Sequence, residues 1–439
     1  MLLPVLTILL VAISLVALWA NRGNFIAPAV LFSGGFAFCS FWALAYAAQW
    51  AYVMRPEAFA AVAGGVALFA CTCAVVRKFA TREGAWIPAT GSWSGSTSAI
   101  WIVLFIVLQT IVGVWFVIRV RQMFPADSVA TSIATYKYAS TSTTQNTYLG
   151  FPLNPLRLLC SSAAYVVGYV FVATAISRRN IPLLVTSGLS VCANFILNWE
   201  GGGRTGLAVY AVYLATLTVL MLRESHQGAI VMSRRLAIVF VVAALLFAAA
   251  FRLLAIGRHT GFSVQSALDI LSVYCGAEIP SLDLWMRTSR IRANDICGFM
   301  TFIRSITYLG PKLGIPAWTY TLDLPNVYSS WHWLGNVYTT FYAFLYDFDW
   351  PGLITLTVLM AVVSELIFVR CGRAAKARDL WMMLYAYLAP QLLLSFFSNK
   401  FYEEFMAVGF LRILVVIVAV REFLRLVDPA RTDGNKGES

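Results

Sequence analysis

Charge is what this chain has least of. Only 12% of its 439 residues are Asp, Glu, Lys or Arg, while 60% are hydrophobic. A soluble domain carries roughly 25% charged residues, so the balance excludes a water-soluble globular protein and points to an integral membrane protein. Histidine is nearly missing, with three residues, and the eight cysteines form no CxxC pair. No cluster has metal-ligand spacing, and HExxH and GxSxG do not occur, so neither a metal nor a cofactor is expected. Cys275 and Cys297 share a polar segment and could pair if it faces an oxidising compartment, though two free thiols are the expectation. No internal repeat is visible. No basic run precedes the first apolar stretch, which is therefore expected to be a spanning helix and not a cleaved signal. The net charge of +12 does not argue for nucleic acid. Its members sit in short clusters between apolar runs, where membrane topology explains them.

What the chain has instead is apolar stretches of membrane-spanning length, about 20 residues each, from end to end. Eleven are expected, near 2–20, 28–50, 58–76, 99–118, 158–177, 181–198, 204–222, 236–256, 350–369, 380–397 and 405–421. The fold class is thus an all-α polytopic membrane protein, a single integral membrane domain over 1–439. Alternate connections hold Arg22, then Arg77, Lys78 and Arg82, then Arg178 and Arg179, then Arg223, Arg234 and Arg235, then Arg370, Arg373, Lys376 and Arg378. By the positive-inside rule these face the cytoplasm, as does the tail at 422–439, and the N-terminus faces out. Two long segments then lie outside: 121–156, rich in Ser, Thr, Tyr and Asn, and 257–349, between the eighth and ninth helices. Long connections in compact proteins are usually functional, so the work is expected on the outer face.

Three stretches there have the makings of chemistry. The first is "NWEGGGRTGL", 198–207. Gly201, Gly202 and Gly203 allow a close backbone approach just before a helix N-terminus, where unpaired N–H groups favour an anion. Arg204 adds a permanent charge with a fork suited to phosphate, and Glu200 is placed to orient it. A lone arginine at this depth would simply snorkel to the headgroups; the glycines and the helix start favour an anion site. The Walker ending GK[ST] is absent.

The second is "SSWHWLGNVYTTFYAFLYDFDWPG", 329–352. Tyr338, Tyr342 and Tyr346 are spaced by four and share one helical face. With Asn336, Thr339 and Asp347 they suit a sugar, which needs flat apolar faces and directional hydrogen bonds; an interfacial aromatic belt fits the tyrosines equally. A neutral His332 is able to take a hydroxyl proton. Asp349 and Pro351 read as a helix start. The third is a set of outer-segment cations, Arg258, Arg287, Arg290, Arg292, Arg304 and Lys312, against the usual charge bias. A solvated basic surface explains some; at least one is expected to hold an anionic ligand. Within the membrane, Glu365 and Arg412 need partners or an interface.

Two of these segments resemble one family, the Wzy-type O-antigen polymerases that join oligosaccharide repeat units. "GGGRTG" at the start of a middle helix resembles the family's glycine–arginine signature. "GNVYTTFYAFLYDFDWPG" resembles its Asn–x–x–Thr … Tyr–x–Asp–Phe–Gly segment through Asn336, Thr339, Tyr346, Asp347 and Phe348, with Asp349 where the glycine is usual. The resemblance implies a GT-C-like glycosyltransferase of ligase/polymerase type, without a metal, multi-pass in the bacterial inner membrane and active on its periplasmic face. Donor and acceptor would both be undecaprenyl-diphosphate-linked glycans, within the lipid bilayer, and a Wzz-type chain-length regulator would be the partner. Arg204 would neutralise the departing diphosphate. Arg258 and one of Arg287, Arg290 or Arg304 would hold a diphosphate. The base would be His332 first, Asp347 second, with Glu200 open. Tyr136 and Lys137 of the first outer segment would help shape a glycan channel. The alternatives are an O-antigen ligase acting on lipid A core and a lipid-linked oligosaccharide flippase; the absence of related halves disfavours the flippase.

Overall fold

The computed structural model describes residues 1–80, 93–142, 147–177, 180–200, 204–225, 264–288, 298–315, 324–373 and 377–428. The protein is an all-α polytopic membrane protein, and its described residues include one short β-hairpin. Among the described residues, eight helices are long and apolar enough to cross a bilayer. Of the other three expected spans, 236–256 lies outside the described residues. The stretch expected at 380–397 forms a 16-residue helix that tightens into a 3₁₀ turn at Leu394–Phe396. The last, Val408–Leu426, carries Arg412, Arg421, Glu422 and Arg425 and is too charged to read as a plain span. The chain divides into two compact units.

The first unit comprises 1–85, 260–372 and 388–409. Helices α1 (Leu2–Ala20), α2 (Pro28–Tyr46) and α3 (Pro56–Ala80) pack on one another. Proline at the first position of α2 costs no hydrogen bond there. Glu57 in the first turn of α3 and Arg77 and Lys78 in its last complement the helix dipole. The segment between 264 and 340 folds into α9 (Val264–Gly276), α10 (Glu278–Thr288), α11 (Ile303–Leu313) and the hairpin β1 (Val327–Ser329) and β2 (His332–Gly335). Helix α12 runs from Thr340 to Arg373. Its Phe341 stacks on Phe36 of α2 at 5.1 Å, and Phe32 stacks on Phe69 of α3 at 4.1 Å, forming a buried aromatic core. Glu365, fully buried on α12, is paired with Arg77 of α3 at 2.6 Å, which answers its cost in an apolar setting.

Helix α12 consists of two helical runs that meet across a kink at Asp349. That residue has φ 56° and ψ −151° inside the helix, two residues before Pro351. A helical run therefore does begin after Asp349, with Pro351 in its first turn as expected; what the sequence did not show is that nine helical residues, Thr340 to Phe348, precede the break.

The second unit comprises 86–259, 373–387 and 410–439. It holds α4 (Ala99–Met123), α5 (Val129–Ser142), α6 (Leu153–Ser177), α7 (Ile181–Glu200) and α8 (Arg204–Ser225). Helix α7 packs on α4, α6 and α8. The first turns of α13 (Arg378–Leu393) and most of α14 (Val408–Leu426) also belong to it, joined by Arg421 donating to the buried Asp379 carboxylate at 2.8 Å. Tyr165 meets Tyr210, Tyr213 and Tyr387 edge to face at 4.8–5.7 Å, and the Tyr210 and Tyr213 hydroxyls donate to the carbonyls of Ala164 and Tyr165. Every buried hydroxyl of that pair is thereby satisfied.

Candidate functional site

In the second unit, α7 ends at Glu200 and α8 begins at Arg204. Arg204 is thus the first residue of its helix, as its place behind three glycines leads one to expect; Gly201, Gly202 and Gly203 lie outside the described residues. At this end of the bundle is a cavity of about 270 Å³ lined by Arg157, Ser161, Asn194, Asn198, Gly206 and the apolar Val112, Leu158, Cys160 and Leu197. Helix packing builds it. The Asn198 amide donates to the Asn194 carbonyl at 2.9 Å. A Cβ on Gly206 would stand 2.6 Å from Asn198 Oδ1, so a larger residue there would displace the Asn198 side chain. The Arg157 guanidinium lies over the Phe116 ring at 3.7 Å, a cation–π contact that holds it at the wall. Asn194 is 1% exposed, and its Oδ1 has no hydrogen-bond partner among the described residues.

In the first unit the expected residues fall into two groups. The tyrosines do share a face: Tyr338 stacks on Tyr342 at 4.3 Å and Tyr342 meets Tyr346 at 5.7 Å. They are buried, however, and Trp285 of α10 closes on Tyr342 at 4.7 Å. The Tyr338 hydroxyl donates to the Pro325 carbonyl at 3.0 Å. The ladder docks α10 and the hairpin onto α12 and offers no exposed ring face. The open faces belong instead to Tyr328, Trp331 and Trp333 of the hairpin, 58%, 83% and 42% exposed. Tyr328 and Trp333 are cross-strand partners and so share a side of the ribbon. Sequence reasoning passed over these rings; the alternation along 327–335 was their one signal. His332 closes a two-residue turn opposite Ser329, and its buried Nδ1 has no partner among the described residues. The same holds for the Thr339 hydroxyl, at 1% exposure. Asn336 is half-buried between the hairpin and α12.

The expected charged residues are largely engaged. Asp347 Oδ1 accepts the Met300 N–H at 3.1 Å and Oδ2 accepts the Thr301 N–H at 2.6 Å. Asn399 donates to the Thr301 carbonyl at 3.0 Å and accepts from the Thr340 hydroxyl at 3.3 Å. Asp347 therefore pins the turn before α11 onto α12. Arg287 donates to Asp283 at 2.9 Å and to the Val53 carbonyl, and Asp283 also accepts from the Tyr52 hydroxyl at 2.9 Å and the Arg55 N–H at 3.1 Å. Burial first, then the Asp283 charge, holds the Tyr52 hydroxyl far above its ordinary titration range, so it remains a donor. Arg304 pairs with Glu404 at 2.8 Å, and Lys312 bonds the Tyr308 hydroxyl and lies over its ring at 3.8 Å. Arg258, Arg290 and Cys297 lie outside the described residues; Cys275 is a free thiol. Tyr136 packs on Phe116 and Phe124 at 5.6 and 6.0 Å, with the half-buried Lys137 beside it on α5.

No family model, curated protein or solved structure matches the chain. The functional reading accordingly rests on the residues themselves.

One buried acid was not foreseen. Glu278, at the start of α10, is 1% exposed, with Oε2 3.5 Å from Cys39 Sγ and Oε1 without a partner among the described residues. Burial pushes it up to about 8. The described residues hold no group of three His, Cys, Asp or Glu able to bind a metal.

Proposed function

We propose that the protein is a glycosyltransferase of the inner membrane that polymerises undecaprenyl-diphosphate-linked repeat units on the periplasmic face, in the manner of the Wzy-type polymerases. The observation that carries this reading is the opening of α8: Arg204 starts the helix behind three glycines, and the chain on both sides of it lines a cavity through Asn198 and Gly206. A helix N-terminus with an added arginine is suited to a diphosphate. The exposed rings of Tyr328, Trp331 and Trp333 suit a glycan, whose CH faces stack on aromatic surfaces.

The chemistry follows from these parts. The acceptor hydroxyl gives its proton to a base and its oxygen forms a bond to the anomeric carbon of the donor. The bond from that carbon to the diphosphate oxygen breaks, and the electron pair leaves with the lipid diphosphate. Arg204 offsets the charge gathering on that oxygen, the kind of electrostatic help that commonly dominates. His332 is the preferred base, because its buried Nδ1 has no partner among the described residues, whereas Asp347 is committed to backbone.

The test is the surface polysaccharide ladder of a strain whose only polymerase is Arg204→Ala at normal protein level. Long chains should vanish, leaving a single-repeat product, and Arg204→Lys should restore them poorly, since a point charge lacks the fork. An unchanged ladder sinks the reading. Growth of the ladder only when lipid A core is supplied as acceptor favours a ligase.

A further inference from the structure

The hairpin of the first unit presents aromatic rings that the fold itself does not cover. Ser329 and His332 pair across a two-residue turn, so Ser330 and Trp331 form its tip. Ser330 is at φ 54°, a conformation that side chains other than glycine's rarely adopt, and Trp331 after it is 83% exposed. The ribbon has two unlike faces, because side chains alternate along a strand. One carries the buried Ser329 and Leu334, and the ribbon rests on α9 and α10. The other carries Tyr328 and Trp333, which stand opposite each other, with Cβ atoms about 5 Å apart as in other such pairs. Trp333 Nε1 donates to Asn326 Oδ1 at 2.9 Å. That bond satisfies the polar edge of the indole and fixes its tilt, so what Trp333 has left to offer is its ring face.

The ribbon's own residues narrow what these rings meet. From 324 to 346 the chain has no Asp, Glu, Lys or Arg. Phosphates are gripped by Arg and Lys, and segments that settle on an anionic lipid surface carry the same cations among their aromatics. Here the rings are interleaved with the amides of Asn326 and Asn336, the Ser330 hydroxyl and the His332 imidazole. Flat apolar faces with such donors and acceptors between them match a sugar ring, which is apolar across its CH face and hydroxylated round its edge. The Trp331 and His332 rings lie 5.4 Å apart, tilted by 35°. A sugar seated on Trp331 therefore has its hydroxyl edge beside the imidazole.

We infer that the hairpin is the seat of the acceptor glycan, with Trp331 stacking its terminal sugar beside His332 and with Tyr328 and Trp333 stacking the sugar next to it. Calling this glycan the acceptor rests on the transfer reaction proposed above, in which the acceptor hydroxyl is the group that meets the base. The stacking itself needs neither lipid nor diphosphate. Tyr328, Trp331 and Trp333 are binding residues, and no proton transfer is assigned to them.

The experiment uses the full chain in phosphatidylcholine nanodiscs, with binding read by equilibrium dialysis. The probe is the radiolabelled repeat-unit oligosaccharide released by mild acid from the host's own lipid-linked pool, free of lipid and phosphate. Trp331→Ala should weaken its binding about fivefold, and Trp331→Phe, which keeps a ring face, about twofold. Tyr328→Ala should weaken it about threefold. All three variants should keep the unfolding temperature of the wild type, since the rings removed are exposed. Equal binding by the wild type, Trp331→Ala and Tyr328→Ala overturns the inference, as does a wild type that does not bind the probe. So does strong quenching of Trp331 emission by brominated phosphatidylcholine, read as the difference between the wild type and Trp331→Phe, which would make the hairpin a membrane anchor. A normal ladder from Arg204→Ala with ring-dependent binding sinks the polymerase and keeps the sugar seat; a lost ladder with binding indifferent to the rings sinks this assignment alone.

Discussion

In the first unit Asp283 serves a tyrosine hydroxyl, a backbone N–H and a guanidinium at once, Asp347 holds two backbone N–H groups, and Arg304 is matched to Glu404. Around the cavity of the second unit the balance is reversed. There the buried Asn194 Oδ1 has no partner among the described residues, and the neighbouring Arg157 lies over the Phe116 ring at 3.7 Å. The first pattern is how an irregular segment without long helices is held in shape. Short helices and turns leave backbone groups unsatisfied, and buried carboxylates take them up. The second pattern has no such structural product. Among the described residues, the aspartates and arginines between 283 and 347, namely Asp283, Arg287, Arg304 and Asp347, are engaged in holding the segment together.

The sharpest way to break this contrast is to remove Asp283. Its loss strands the Tyr52 hydroxyl and the Arg55 N–H and leaves Arg287 without its carboxylate, and breaking a buried pair from one side costs about 3–5 kcal/mol. Asp283→Ala should therefore lower the unfolding temperature strongly in detergent. Arg287→Met should cost less, about 1–2 kcal/mol, because Asp283 retains two other donors. If Arg287→Met instead leaves stability untouched and abolishes chain extension, Arg287 belongs to the ligand and the contrast fails for it.

A smaller effect comes from Glu278. Its ordinary value is 4.5 and burial raises it to about 8. Below pH 4.5 both folded and unfolded chains hold the proton, and the full stability is present. Between there and pH 8 the unfolded chain has released the proton and the folded chain has not, so stability falls as pH rises, by up to about 1.4 kcal/mol per pH unit. Unfolding temperature measured from pH 5 to 9 should decline across that window, and Glu278→Gln should remove most of the decline. Equal slopes in the two proteins would show that the carboxyl is not buried as described.

The helices were legible because their signal is local. Apolar length alone placed the starts of α1, α2, α7 and α8 at 2, 28, 181 and 204. The i, i+4 spacing likewise gave the shared face of Tyr338, Tyr342 and Tyr346. Their burial was not legible, because what covers them is Trp285, more than fifty residues earlier in the chain. The cavity was hidden for a related reason. Arg157 in the first turns of a spanning helix reads as a snorkelling cation, and Asn194 as an isolated polar residue in an apolar run. Only the packing of α6 against α7 and α8 brings the two to one space.

The finest test concerns one backbone position where sequence and structure disagree in an informative way. At 349 this chain has aspartate where the resembling polymerase segment has glycine, and the backbone there is at φ 56°, ψ −151°, a region essentially restricted to glycine. The departure in sequence is thus a departure at a position whose geometry asks for the missing residue. In a helix interior alanine is ordinarily better than glycine by about 1 kcal/mol. At a positive φ of this kind the order should invert, since alanine retains the steric cost of about 1–3 kcal/mol and glycine does not. Asp349→Gly should therefore be more stable than Asp349→Ala by about 1 kcal/mol, with both lacking whatever the carboxylate contributes, so that their difference isolates the backbone. Alanine at least as stable as glycine would mean that α12 runs through 349 without the kink. The nine residues before it, with Asp347 and the tyrosine ladder, would then no longer be set apart from the spanning part of the helix, and the docking of α10 and α11 on them would need another basis.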